Sequence, residues 1–194
     1  MKTTRLSRPA HGFTLVELLV VIAIIAVLAA MGFAGAQAAI NKAKKVKARK
    51  ICVTLEQGVI AFYNTYGYLP TNPEDEVTLE TGNDEGDLLT ILLGYESGTD
   101  IENEKKIRFF EAPEAKGERD GIVYAGTGNS VTGLFDPWGE TYRVILDGNY
   151  DENVDNPFSE SGRGSVLRGR RAAVYTYGKN GEDDGGGGDD VKSW

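Results

Sequence analysis

The chain has 194 residues, 41% of them hydrophobic and 26% charged, a balance that argues against global disorder. One histidine, His11, and one cysteine, Cys52, exclude an internal disulfide and a Cys/His zinc centre of about four ligands, so any metal site must use oxygen donors suited to calcium or magnesium. The net charge of −8 divides into +8 over residues 1–50 and −16 over residues 51–194, which argues against nucleic-acid binding by the larger, acidic part.

The chain opens with Lys2, Arg5 and Arg8, followed by His11-Gly12-Phe13-Thr14-Leu15-Val16-Glu17 and then an uncharged run from Leu18 to Ala36. A run near 20 apolar residues is long enough for a helix to span a bilayer. It exceeds the 7–15 residues usual for the apolar core of a secretory signal, and helical character continues beyond it instead of ending at a cleavage site. Glu17 lies inside this apolar stretch, where a lone carboxylate costs roughly 2.5–3.5 kcal/mol on insertion scales, so it reads as functional.

Residues 12–30, GFTLVELLVVIAIIAVLAA, resemble the N-terminal signature of type IV pilins and type II secretion pseudopilins. The resemblance implies that a prepilin peptidase cuts after Gly12 and methylates the new N-terminal residue, Phe13. It also implies that Glu17 sets subunit register by pairing with the amine of Phe13, on a neighbouring subunit or on its own chain. The family orientation puts the N-terminus in the cytoplasm and the C-terminal part in the periplasm. Many pilins carry a proline near the twenty-second residue of the mature chain. Here that position is Ala34, between Gly32 and Gly35, which supply a comparable local weakness.

From Gln37 to Tyr66 there is no proline, and Ala48, Cys52, Leu55, Val59, Phe62 and Tyr66 fall on one helical face. The spacing predicts one helix over 13–66, about 80 Å long, stopped by Gly67 and Leu69-Pro70. Cys52 reads as a small core residue rather than a reactive thiol. The run Lys42, Lys44, Lys45, Lys47, Arg49 and Lys50 admits two readings: a solvated helix face, or a strip that pairs with acidic surfaces of neighbouring subunits.

Residues 67–194 form the expected head. Residues 68–86 read as a loop. Asp87 to Gly94 reads as a short helix with an Asp cap and a Gly stop. Residues 97–120 are polar around Ile107-Arg108-Phe109-Phe110. Strand character around 122–125, 141–146 and 172–177 predicts a small antiparallel sheet over the apolar side of the long helix. The fold class is therefore α+β: a long N-terminal helix, transmembrane in its first half, packed against a small sheet, pilin-like. The expected divisions are a leader over 1–12, a membrane or filament-core helix over 13–36, its amphipathic continuation over 37–66 and the head over 67–194.

Asp136-Pro137-Trp138-Gly139-Glu140-Thr141-Tyr142 resembles the D-P-W-G-x-x-Y segment of the major pseudopilins of type II secretion. The segment from Tyr175 through the Gly/Asp run to Asp190-Val191-Lys192-Ser193-Trp194 resembles their C-terminal calcium loop. That resemblance implies a calcium site using Asn180, Asp183, Asp184, Asp189, Asp190 and the Tyr177 carbonyl. Independently, closely spaced acids around four glycines repel one another, and a divalent cation would relieve this; the competing reading is a disordered acidic tail. A second acidic segment, Asp147 to Asp155, has Asp, Asn and Asp at alternate positions as at the start of an EF-hand. It lacks the loop's Gly and terminal Glu, and reads as an Asx-rich turn. Residues 71–119 are longer and more acidic than that family leads one to expect and read as an insertion.

The resemblance implies no enzyme. It implies a structural subunit of a type II secretion pseudopilus, assembled from the bacterial inner membrane to drive protein export. The partners would be further copies of itself, minor pseudopilins, the prepilin peptidase and the inner-membrane assembly platform. The alternative is a minor or adhesive type IV pilin subunit.

Overall fold

The structure, a computed structural model, describes residues 12–82, 87–126, 130–159 and 164–194, with backbone alone for 31–35. His11 and all of the expected leader except Gly12 lie outside the described residues. So does the side chain of Ala34.

Helix α1 spans Leu15–Tyr66. It opens at Leu15 rather than Phe13 because Thr14 caps it. The Thr14 hydroxyl accepts from the Glu17 N–H at 3.2 Å, while Glu17 Oε2 accepts from the Thr14 N–H at 2.9 Å and from its hydroxyl at 2.7 Å. Two of the helix's unpaired donors are thus satisfied reciprocally. The helix stops at Gly67, whose φ of 85° turns the chain while its N–H donates to the Tyr63 carbonyl.

Packing divides the chain into two units, Met1–Lys42 and Ala43–Trp194. In the first, every described side chain from Gly12 to Ala30 is exposed. In the second, Ala48, Cys52, Leu55, Val59 and Phe62 are fully buried, one face of α1 at the expected spacing, and Tyr66 packs against the same core.

The remaining elements are β1 (Val77–Glu80), α2 (Asp87–Leu93), β2 (Gly121–Tyr124), β3 (Val131–Phe135), β4 (Arg143–Leu146), β5 (Asn153–Asp155), β6 (Val166–Arg168), β7 (Ala172–Thr176) and β8 (Val191–Lys192). An antiparallel sheet runs in the order β1-β4-β7-β8, and β2-β3 and β5-β6 form two further hairpins. Both faces of the main sheet are covered. Val144, Leu146, Ala172 and Val174 join the core that holds α1, whereas Ile145, Ala173 and Tyr175 join Val154 and Phe158 in a second core. The fold is α+β, a long N-terminal helix with antiparallel sheets.

One expectation changes. Residues 68–86 are not all loop, because β1 pairs residue for residue with β4 from Val77–Leu146 to Glu80–Arg143. The 71–119 stretch, expected as an insertion, contributes Leu88, Leu89, Leu92 and Phe110 to the main core. Gly58 makes this possible. A Cβ there would lie 2.9 Å from the Phe109 carbonyl, so only glycine lets residues 109–110 lie against α1.

Candidate functional site

At the N-terminal end, Gly12 and Phe13 precede the helix in extended chain, and Phe13 is 78% exposed. Glu17 is exposed and engaged with Thr14 on its own chain. This cap was legible in the sequence as Thr-x-x-Glu before an apolar run. Among the described residues no helix is long and apolar enough to cross a membrane; residues 31–35, within the expected 13–36 span, lack described side chains.

The basic run is partly spoken for within the second unit. Lys45 donates to the Gly188 carbonyl at 2.8 Å, Lys47 pairs with Asp120 at 2.8 Å, and the Lys44 ammonium lies 5.9 Å from the Trp138 ring centre. These three residues thus have partners within their own chain, while the Lys47 side chain stays 63% exposed.

Residues 178–190 between β7 and β8 form a closed string of turns rather than a loose tail. Gly178 has a φ of 74°, and a Cβ there would meet the Asp189 carbonyl at 2.3 Å, so the two ends of the loop lie back to back. Asp189 Oδ2 accepts from the Asn180 N–H at 2.8 Å. Asp184 Oδ2 accepts from the Asn180 side-chain amide and from the Asp189 N–H, each at 3.3 Å. Asp190 Oδ2 accepts from the N–H groups of Gly186 and Asp184 at 2.8 and 3.0 Å. Lys192 donates to the Gly186 carbonyl at 2.9 Å. Beyond the loop, the Trp194 ring lies 6.0 Å from Phe158 and 6.4 Å from Tyr175.

Of the expected ligands, the structure brings Asn180, Asp184 and Asp189 together. Asp190 lies beneath them, 4% exposed. Asp183 Oδ1 accepts from the Gly185 N–H at 2.7 Å, and its charge acts on Asp190 together with that of Asp184. Tyr177 opens the loop, its ring 4.2 Å from the Arg143 guanidinium. Among the described residues no three acidic, His or Cys side chains are arranged to hold a metal ion. The donors nevertheless suit calcium in kind, because that ion accepts backbone and amide oxygens beside carboxylates. One observation favours a cation here: Asp190 Oδ1 is buried without a hydrogen-bond partner among the described residues. Gly188 lets Asp184 pack closely on the loop, since a Cβ there would clash with that carboxylate. Burial pushes the Asp190 carboxyl up, against the pull of the Gly186 and Asp184 amides. For Asp189, burial is outweighed by the Asn180 amide and the adjoining Asp184 carboxyl, which hold it below the usual range.

The middle acidic segment behaves as a turn. Asp147, fully buried, accepts from the N–H groups of Asp151 and Glu152 at 3.0 Å each, and Arg171 reaches Asp147 at 3.6 Å and Glu152 at 2.9 Å. A structural role missed in the sequence belongs to Asp136. Its Oδ1 accepts from the N–H groups of Trp138, Gly139 and Glu140, and its Oδ2 accepts from the Thr176 hydroxyl at 3.0 Å. It fastens the β3–β4 turn to β7. The Asp-Pro-x-Gly spacing announces the turn, but no local signal announces Thr176.

Residues 7–33 match the model of the prokaryotic N-terminal methylation motif. No curated protein and no solved structure matches the chain. The chain therefore carries, over its N-terminal segment, the prepilin-type motif of pilin-like subunits, which are processed by a prepilin peptidase and polymerise.

Proposed function

We propose that this chain is a structural subunit of a type II secretion pseudopilus, anchored in the inner membrane by residues 13–36 with its head in the periplasm. The observation that carries this reading is the methylation motif at 7–33, set at the start of a helix whose described first part is exposed and apolar and whose second part is the spine of a head. Apolar side chains from Leu15 to Leu28 need cover, which a bilayer supplies before assembly and neighbouring helices supply after it. Cleavage after Gly12 frees the Phe13 amine, and Glu17 then has a choice of partner: its own Thr14 or that ammonium. The D-P-W-G corner and the Gly/Asp loop support the pseudopilin over the pilin reading.

The Gly/Asp loop would hold calcium through Asn180, Asp184, Asp189 and the unpartnered oxygen of Asp190. A bound divalent cation would there neutralise closely spaced carboxylates. Minor pseudopilins and the assembly platform are the further partners.

The deciding experiment has two parts. Intact mass and N-terminal sequencing of the membrane-extracted chain should show a start at Phe13 bearing one methyl group, and Gly12→Ala should retain Met1. Deleting the gene should then leave exported proteins in the periplasm with surface adhesion unchanged. Lost adhesion with intact export would favour an adhesive pilin instead, and Met1 retained in assembled protein would end both readings.

A further inference from the structure

The head carries two clefts of opposite charge on different sides of α1. One is a cleft of about 440 Å³ lined by Glu56, Ile60, Tyr63 and Asn64 of the helix and by Arg168, Arg170 and Arg171. Arg170 pairs with Glu56, and Arg171 with Glu152 while lying 4.3 Å from the Tyr63 ring centre. Arg168, exposed, has no ion pair or side-chain hydrogen bond among the described residues. The acids Glu76, Asp151 and Asp155 line a neighbouring cleft with it, yet none pairs with it.

The other surface is the 96–104 segment. It carries Glu96, Asp100, Glu102 and Glu104 without a basic residue, and with Asp87 it borders a cleft of about 370 Å³. Tyr66 donates to the Asn103 side chain and Tyr68 to the Glu102 carbonyl, so this segment sits over the Phe62–Tyr66 side of the helix. Asp100 and Glu104 are exposed and have no ion pair among the described residues.

Glu56, Ile60 and Asn64 line the arginine cleft, and Gly58, Phe62 and Tyr66 face the acidic side. Glu56, Ile60 and Asn64 each lie two positions, about 200° around the helix, from a residue of the other set, while Tyr63 lies between the two sets. The two surfaces therefore lie on different sides of the helix.

We infer that the arginine cleft receives the acidic 96–104 segment of a second copy of this chain. The contact is heterologous: each copy offers a different patch to each neighbour, so it propagates instead of closing into a dimer. Arg168 is the cation left for Asp100 or Glu104 of the neighbour, and the bidentate guanidinium suits a carboxylate. The inference rests on the proposal that the chain polymerises, and it names the head surfaces that do so.

The test uses the full chain in membranes where it assembles. Cys52 is buried, so introduced thiols report without background. Asn64→Cys and Thr99→Cys, both at exposed positions beside the two surfaces, are combined in one chain and oxidised. A ladder extending past the dimer is expected from the double variant, and none from either single one. Arg168→Glu in that background should cut the ladder at least fivefold, Arg168→Lys should keep it, and Arg168→Glu with Asp100→Arg should restore it. Sedimentation of filaments is measured in parallel. Filaments without a 64–99 ladder, or a ladder indifferent to Arg168→Glu, overturn this inference and leave polymerisation standing. An unaltered chain that forms no sedimenting filament overturns the polymer proposal and this inference with it.

Discussion

Residues 15–30 and 48–62 lie on the same helix, yet one stretch exposes its apolar side chains and the other buries them. In the second stretch Cys52, Leu55, Val59 and Phe62 are wholly inside the head; in the first, Leu15, Ile25 and Leu28 are 78%, 59% and 63% exposed. Hydrophobicity alone does not separate the stretches, but pattern does. The head stretch is apolar on one face only, because only one face meets the sheet. Apart from Glu17 near its start, the N-terminal stretch is apolar on every face.

Truncation breaks that comparison most strongly. Phe62→Ala should cost about 3–5 kcal/mol in chemical denaturation, because it opens a cavity among Tyr66, Tyr68 and Phe109. Ile22→Ala should leave the denaturation midpoint in place and instead lower membrane retention. Equal midpoint losses would mean that residue 22 is buried against this chain's own head.

Calcium sharpens the contrast between the two acidic segments of the head. Calcium at a hundredfold excess over its Kd should stabilise the chain by about 2.7 kcal/mol relative to chelator. Asp184→Ala and Asp190→Ala should each remove most of that gain, and magnesium should substitute poorly because it demands a tighter octahedral shell. Asp151→Ala should retain the gain, since its segment is built around Asp147 and Arg171. Identical melting in calcium and chelator for the unaltered chain would remove the metal.

The Thr14–Glu17 cap gives a smaller effect. Thr14→Ala should cost the first turn about 1 kcal/mol, read as faster amide exchange near Leu15. Glu17→Gln separates the cap from the charge, because glutamine also serves in a capping box. If Glu17 neutralises the Phe13 amine, Glu17→Gln should insert normally and fail to assemble. Wild-type filament yield from that variant would leave only the cap.

The smallest effect is one of sign. Burial holds the carboxyls of Asp136, Asp147 and Asp190 above the usual range. The folded chain then binds protons that the unfolded chain does not. Their contribution to stability therefore rises as pH falls from those raised values toward the ordinary carboxylate value of about 3.9. In chelator the melting temperature should hold or rise slightly on mild acidification. In calcium it should fall, since protons compete with the metal for the loop.

The elements that sequence exposed were those with strong local signals. The 48–66 face, α2 with its Asp start and Gly94 stop, and the strands near 122, 143 and 172 all show periodicity or capping. β1 was hidden because Val77–Glu80 is a short edge strand among prolines and acids, and its only reason to extend is β4, over sixty residues later. β8 has two residues and lies in what reads by composition as a solvated tail. The same limit holds at the sites. The methylation motif is written in contiguous residues, as is the acidic loop. The tether from Lys45 to Gly188, the clasp from Asp136 to Thr176 and the arginine cleft all join residues far apart in the chain, and periodicity carries no trace of them.

The sheet order has a consequence for biosynthesis. β4, the strand that β1 pairs with, and β7, which covers α1 beside it, are both made long after the helix, and β8 follows later still. Cys52 Sγ lies 4.0 Å from the Val191 carbonyl, and Lys45 reaches Gly188. The oily stripe on the second half of α1 therefore leaves the ribosome well before the strands that cover it. Long-range pairing of this kind is slow, and the waiting surface is prone to aggregate. A nascent chain halted before β7 should bind holding chaperones, while one extended through β8 should let them go.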